Sequence, residues 1–174
     1  DVTYLVNQSF ADTNTGYSLM LTEKYIGSSA FIKFDADVVF DKNILENLIA
    51  SDYENCLCID KNIQLDAEEV KVRIKENNQV VKANKSVDPI KAIGESIGIE
   101  KISNTTAIKL FSELRFLMED ENNHQEYYEE AYERLIERQE PFYALDITGS
   151  RWIEIDTLED FSEAANIYDN GTHH

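Results

Sequence analysis

The chain has 174 residues, 43% of them hydrophobic, which suits one compact α/β domain over residues 1–170 rather than two. Lys and Arg total 16 against 34 Asp and Glu, a net charge of −18. Such a surface repels nucleic-acid phosphates and anionic lipid, so neither is an expected partner, and any phosphate substrate must be held by a metal ion or by a few placed Lys and Arg.

Residues 1–7 alternate apolar and polar (Val2, Tyr4, Val6) and read as a strand, followed by a polar loop over 7–14. Helical spacing of Tyr17, Leu21 and Tyr25 predicts a helix over 15–26, stopped by Gly27. Residues 30–36 form an apolar strand, and Asp41 can cap a helix buried through Ile44, Leu45, Leu48 and Ile49. Residues 55–59 give another apolar strand, so the opening order of strand, helix, strand, helix, strand points to a parallel sheet with right-handed crossovers.

Residues 70–74 and 79–83 flank Glu76-Asn77-Asn78 and predict an antiparallel hairpin. A strand over 94–102 contains Gly98, and Ser103 or Asn104 starts a helix with Ala107, Leu110, Phe111, Leu114 and Leu117 inward. A further helix spans 125–138, strands follow at 142–147 and 152–155 about Gly149-Ser150, and Thr157 with Asp160 opens a last helix burying Leu158, Phe161, Ala165 and Tyr168. The expected architecture is three-layer and Rossmann-like (GT-A-like), a mixed but mostly parallel sheet flanked by helices, with a small hairpin insertion.

Cys56 and Cys58 point the same way in a strand, cannot easily pair, and lack nearby ligands for a metal; two core thiols in a reducing cytoplasm is the simpler reading. No apolar run approaches the ~20 residues of a membrane helix. No signal peptide is visible, and residues 171–174, ending in His173 and His174, read as an expression-tag remnant. His124 stands in a polar stretch and reads as a solvated turn residue.

Chemistry concentrates in four places. Asp35-Ala36-Asp37 follows an apolar strand, where ligands of open α/β sheets gather, and two such carboxylates suit Mg²⁺ or Mn²⁺. A strand end and a turn cap would use the same residues. Trp152-Ile153-Glu154-Ile155-Asp156 likewise ends on a carboxylate that could serve only as a helix cap. Gly94-Glu95-Ser96-Ile97-Gly98 brackets an acid with glycines, marking either a close approach or a bulge. Tyr127-Tyr128-Glu129-Glu130 is a site candidate or a solvated helix face. There is no GxSxG, GxGxxG or GxxxxGK[ST] motif, which argues against serine hydrolase and dinucleotide chemistry.

With Asn7, Asn14 and Ser18-Leu19, then residues 35–40, Asp60-Lys61, Val70-Lys71-Val72, residues 94–99, 127–131 and 152–157 in that order, the chain resembles the nucleotidyltransferase superfamily, in its phosphocholine and phosphonate cytidylyltransferase-like branch. The resemblance implies Mg²⁺ held by Asp37 and Asp156, with Asp35 the runner-up. It places Asp35, Lys61, Glu95, Tyr128, Glu129, Trp152 and Glu154 around the substrates and lets Lys71 face phosphates. The implied reaction transfers a nucleoside monophosphate, CMP from CTP being favoured, to a small phosphorylated or phosphonylated alcohol. Tyr127, Tyr128 or Trp152 could cage a quaternary amine on that acceptor. Alternatives are a sugar-1-phosphate nucleotidyltransferase, a DxD glycosyltransferase and a non-catalytic ligand-binding module. The family opens with a strand and Gly-rich phosphate loop that this sequence does not show, so the chain by itself is expected to lack turnover. Sequence gives no oligomeric state.

Overall fold

A computed structural model of the chain describes residues 2–62, 65 and 69–169. Its elements run α1 (Thr15–Leu21), α2 (Glu23–Ile26), β1 (Phe31–Phe34), β2 (Val38–Phe40), α3 (Lys42–Ala50) and β3 (Cys56–Asp60), then β4 (Lys71–Ile74) and β5 (Val80–Asn84). They continue with β6 (Gly94–Ile102), α4 (Asn104–Arg115), α5 (Tyr128–Glu137), β7 (Tyr143–Asp146), β8 (Trp152–Glu154) and α6 (Leu158–Asp169). The tag reading of residues 171–174 falls outside the described residues.

The main sheet has the order β5-β4-β6-β3-β7, and β1 pairs with β6 on the same edge as β4. β4 takes Gly94 and Glu95, while β1 takes Ile99 to Ile102. β2 and β8 form a separate antiparallel pair. The sheet is mixed and flanked by helices, as expected, but mostly antiparallel: among the described residues only β3 and β7 run parallel. The physical reason lies in β6. This nine-residue strand accepts β1, β3 and β4, all antiparallel, so it replaces the row of parallel neighbours that strand-helix alternation suggested.

Side-chain alternation along β3 builds two cores. Leu57 and Ile59 face a large cluster with Leu110, Phe111 and Leu114 of α4 and Ala131, Tyr132 and Leu135 of α5. Cys56 and Cys58 face the opposite cluster with Ile44 and Leu48 of α3, Ile97 and Ile99. Each such Leu or Ile contributes roughly 1.5–3 kcal/mol by leaving water. Both cysteines are free and buried; burial raises both thiols, that of Cys56 to about 11. Ser103 caps α4 by accepting from Thr106 N. Asn55, 2% exposed, ties the layers, donating to Pro141 O and accepting from Ser103 N, both at 2.9 Å.

Several expectations give way. Residues 2–7 form no strand; Val2, Tyr4 and Val6 are exposed, because no neighbouring strand is there to pair with them. The helix over 15–26 breaks at Thr22, and its inward residues are Leu19 and Met20, while Tyr25 is exposed. Asp41 stands at the start of α3 without a capping bond, since its carboxylate instead pairs with Arg151 at 2.9 Å. Ile49 points to solvent. Thr157 and Asp160 do cap each other's backbone at α6, but Leu158 and Phe161 are 87% and 61% exposed, so the first half of the expected buried face is open while Ala165 and Tyr168 are half-buried. β7 and β8, on either side of Gly149-Ser150 as expected, belong to different sheets. Among the described residues no helix is long and apolar enough to cross a membrane.

Candidate metal and acceptor site

The chain leaves the main sheet at Phe34, turns through Asp35-Ala36-Asp37, and enters the two-stranded sheet at Val38, whose partner there is Glu154. The pairing closes with Ile155 N donating to Asp37 O at 2.9 Å. That register explains why residues 37, 154 and 156, far apart in sequence, meet. Asp37, Glu154 and Asp156 each offer a carboxylate oxygen within 4.8 Å of the others, and all three are exposed. Burial, and then the charges of Asp156, Asp37 and Asp35, raise the Glu154 carboxyl. Mutual repulsion of this kind is what a divalent cation relieves, and an all-oxygen donor set suits a hard ion such as Mg²⁺.

Beside the trio lies a cavity of about 220 Å³. Among the described residues its walls carry six carboxylates (Asp35, Asp37, Glu69, Glu95, Glu129 and Glu154) against one cationic side chain, Lys85. Tyr127, Tyr128, Ser96 and Thr15 complete the polar lining. Glu95 is 6% exposed, and its Oε2 has no hydrogen-bond partner among the described residues. Burial pushes its carboxyl up to about 8, reinforced by Glu69, Glu154 and Asp60 and opposed by Lys71. Glu129 is also raised by burial.

The sequence-predicted residues divide. Asp35, Asp37, Glu95, Tyr128, Glu129 and Glu154 share the cavity wall, and Asp156 joins Asp37 and Glu154 at its rim. Trp152 instead lines an adjoining hollow with Asp60, Glu69, Glu95 and Glu154, donating its indole N–H to Asp60 at 2.8 Å. Lys61 pairs with Asp146 at 2.8 Å outside the cavity. Lys71 is 1% exposed, opposite Glu95 in the β4–β6 register, and its ammonium donates to Glu69 O at 3.0 Å. From there its charge bears on Glu95.

Gly98 unites both readings of its segment. It has φ +71°, it lies in the β3–β6 irregularity, and a Cβ there would meet the Asp35 carboxylate, with Cγ at 2.8 Å. Sequence reasoning missed Lys33, Glu100 and Lys85. Lys33 and Glu100 each interrupt an apolar strand run, which was the available signal; Lys85, just after β5, carried none.

No protein-family model matches the sequence, and no curated protein sequence matches it. Solved structures do. One is an inositol-1-phosphate CTP transferase from T. maritima, at TM-score 0.73 and 20% identity over 97% of this chain and 67% of that one. A second is a CTP:phosphocholine cytidylyltransferase from Streptococcus pneumoniae, at 0.67 and 21% over 92% and 66%. A third is a UDP-glucose pyrophosphorylase complexed with UDP-glucose, at 0.69 and 16% over 91% and 62%. The chain thus spans about two thirds of the length of each. Its fold is the one that these three structures share.

Proposed function

We propose that this chain carries the metal- and acceptor-binding part of a nucleotidyltransferase. The observation that carries this reading is the convergence of Asp37, Glu154 and Asp156 beside a polar cavity, within this fold. The bound ion, Mg²⁺ in this proposal, would screen the triphosphate and polarise its α-phosphate. Asp37, Glu154 and Asp156 would hold that ion at the rim. The acceptor would enter the cavity with its phosphate or phosphonate turned toward the rim. Its oxygen attacks the α-phosphorus, the bond to the bridging oxygen of the β-phosphate breaks, and pyrophosphate leaves. That nucleophile is already anionic at pH 7, so no general base is required, and His124 and the buried cysteines take no part. The work of the protein is to align two anions that repel each other.

The acid-rich wall bears on the acceptor. Six carboxylates against Lys85 disfavour a purely anionic sugar phosphate and favour a phospho- or phosphono-alcohol that also carries an ammonium group, near Tyr127 and Tyr128. CTP as the donor rests on the sequence resemblance, in keeping with the two CTP-named structural neighbours. The test is pyrophosphate release by the full-length gene product with Mg²⁺, CTP, UTP or dTTP, and a panel of phosphocholine, aminoethylphosphonate and hexose 1-phosphates. Release with CTP and an amino-alcohol phosphate is expected. Release only with a hexose 1-phosphate would transfer the assignment to the sugar class, and NDP release from an NDP-sugar would replace it with a glycosyltransferase.

A further inference from the structure

Between Phe34 and Val38 the backbone crosses from the main sheet to the small one, and the last side chain anchored on the main sheet is Asp35. Its N–H donates to Gly98 O at 2.9 Å. Its carboxylate is held from three sides. Lys33 Nζ lies 2.8 Å from Oδ1, the Tyr128 hydroxyl donates to Oδ2 at 2.9 Å, and Gly98 leaves room below by lacking a Cβ. Lys33 is itself fixed, with Glu100 Oε2 at 3.4 Å and the Tyr128 ring centroid 3.4 Å from its ammonium. The Lys33 and Glu100 side chains are only 11% and 2% exposed.

Burying an ammonium and a carboxylate costs several kcal/mol per ion, and an apolar replacement of similar volume is often as stable or more so. Stability alone therefore does not account for a charged cluster under this turn. What the cluster does fix is the direction in which the chain leaves Asp35, two residues before Asp37.

We propose that Lys33, Tyr128 and Glu100 are positioning residues for the metal ligand Asp37, acting through the clamped carboxylate of Asp35. The inference rests on the metal reading given above. It makes a prediction opposite in sign to simple electrostatics: deleting the Lys33 charge so near the site should by itself tighten cation binding, whereas loss of positioning weakens it.

The experiment is Mn²⁺ titration by calorimetry, at a temperature well below each variant's melting point, for the wild type, Asp37→Ala, Tyr128→Phe, Lys33→Met and Lys33→Arg. Tyr128→Phe changes no charge and keeps the ring. Expected are roughly tenfold weaker Mn²⁺ binding in Tyr128→Phe and Lys33→Met, in the range seen when groups supporting a metal ligand are removed, and partial recovery in Lys33→Arg. Mn²⁺ affinity within twofold of wild type, or tighter, in both Tyr128→Phe and Lys33→Met, with Asp37→Ala defective, overturns the positioning role and leaves the metal site standing. Should Lys33→Met not fold, Tyr128→Phe decides alone. Wild-type binding that Asp37→Ala leaves unchanged overturns the metal reading, and the positioning role with it.

Discussion

Replacing Gly98 by Ala probes the joint between strand geometry and site. The residue sits at φ +71°, where an L side chain costs roughly 1–2 kcal/mol. The added Cβ also occupies the place of the Asp35 carboxylate, so that group must swing away from Tyr128. Losing a hydrogen bond to a charged acceptor costs about 1.5–3 kcal/mol. The Lys33–Asp35 pair adds little to this sum, since Asp35 is 31% exposed and water screens it. The total is about 2.5–5 kcal/mol, which for a chain of this size lowers the melting temperature by roughly 5–20 °C. Chemical denaturation of Gly98→Ala alone and in an Asp35→Gly background separates the parts: with no side chain at position 35 for the new Cβ to meet, the cost should shrink to the backbone share of about 1–2 kcal/mol. A Gly98→Ala variant within about 0.5 kcal/mol of wild type, or one whose cost is the same in both backgrounds, would refute the argument that Gly98 exists to admit Asp35.

The remaining predictions concern charge and the layers. Asp37→Ala, Glu154→Gln and Asp156→Ala should each weaken Mg²⁺ or Mn²⁺ binding by roughly tenfold or more. In metal-free buffer their melting temperatures should equal or exceed the wild type's, because each relieves repulsion among exposed like charges; circular dichroism melts with and without metal check both halves. The Glu95 and Glu100 carboxyls are raised by burial to about 8 and about 7, so the folded chain binds more protons than the unfolded chain above pH ~4.5. Stability should accordingly be highest near pH 5 and fall by on the order of 3 kcal/mol as pH rises through 8, a slope that Glu95→Gln reduces in urea titrations across that window. Asn55→Ala removes two buried hydrogen bonds and leaves Ser103 N unsatisfied, for a loss of about 2–3 kcal/mol in the same assay.

Much of this architecture is legible in the sequence because the signals are local. The strand over 94–102 and the hairpin about Asn77-Asn78 follow from alternation and turn chemistry, and the Ser103 cap and the Thr157–Asp160 pair follow from their side chains. The acids at the strand ends were readable for the same reason. Strand direction was not. Whether β6 receives its neighbours parallel or antiparallel depends on long-range pairing that alternation does not encode, and β6 took three antiparallel partners. Residues 2–7 have the pattern of a strand but no edge to join, and α6 has an apolar stripe but no surface over Leu158 and Phe161. In both, local propensity was read correctly as amphipathic while burial, a tertiary property, did not follow. Within the site, the resemblance let Lys71 face phosphates; its burial at 1% exposure, opposite Glu95, is a tertiary property that the local pattern does not carry. Lys33 and Glu100 escaped notice because a charge inside an apolar strand is easily passed over, although burial at 11% and 2% exposure makes those residues the more informative ones.

The account depends on a divalent ion shared by Asp37, Glu154 and Asp156. Crystals soaked in Mn²⁺ and measured at the manganese absorption edge test it most directly. The prediction is an anomalous peak about 2.2 Å from an oxygen of both Asp37 and Asp156, lost in crystals of Asp37→Ala. A fully occupied peak elsewhere with none between these carboxylates, or the same peak persisting in Asp37→Ala, would contradict it.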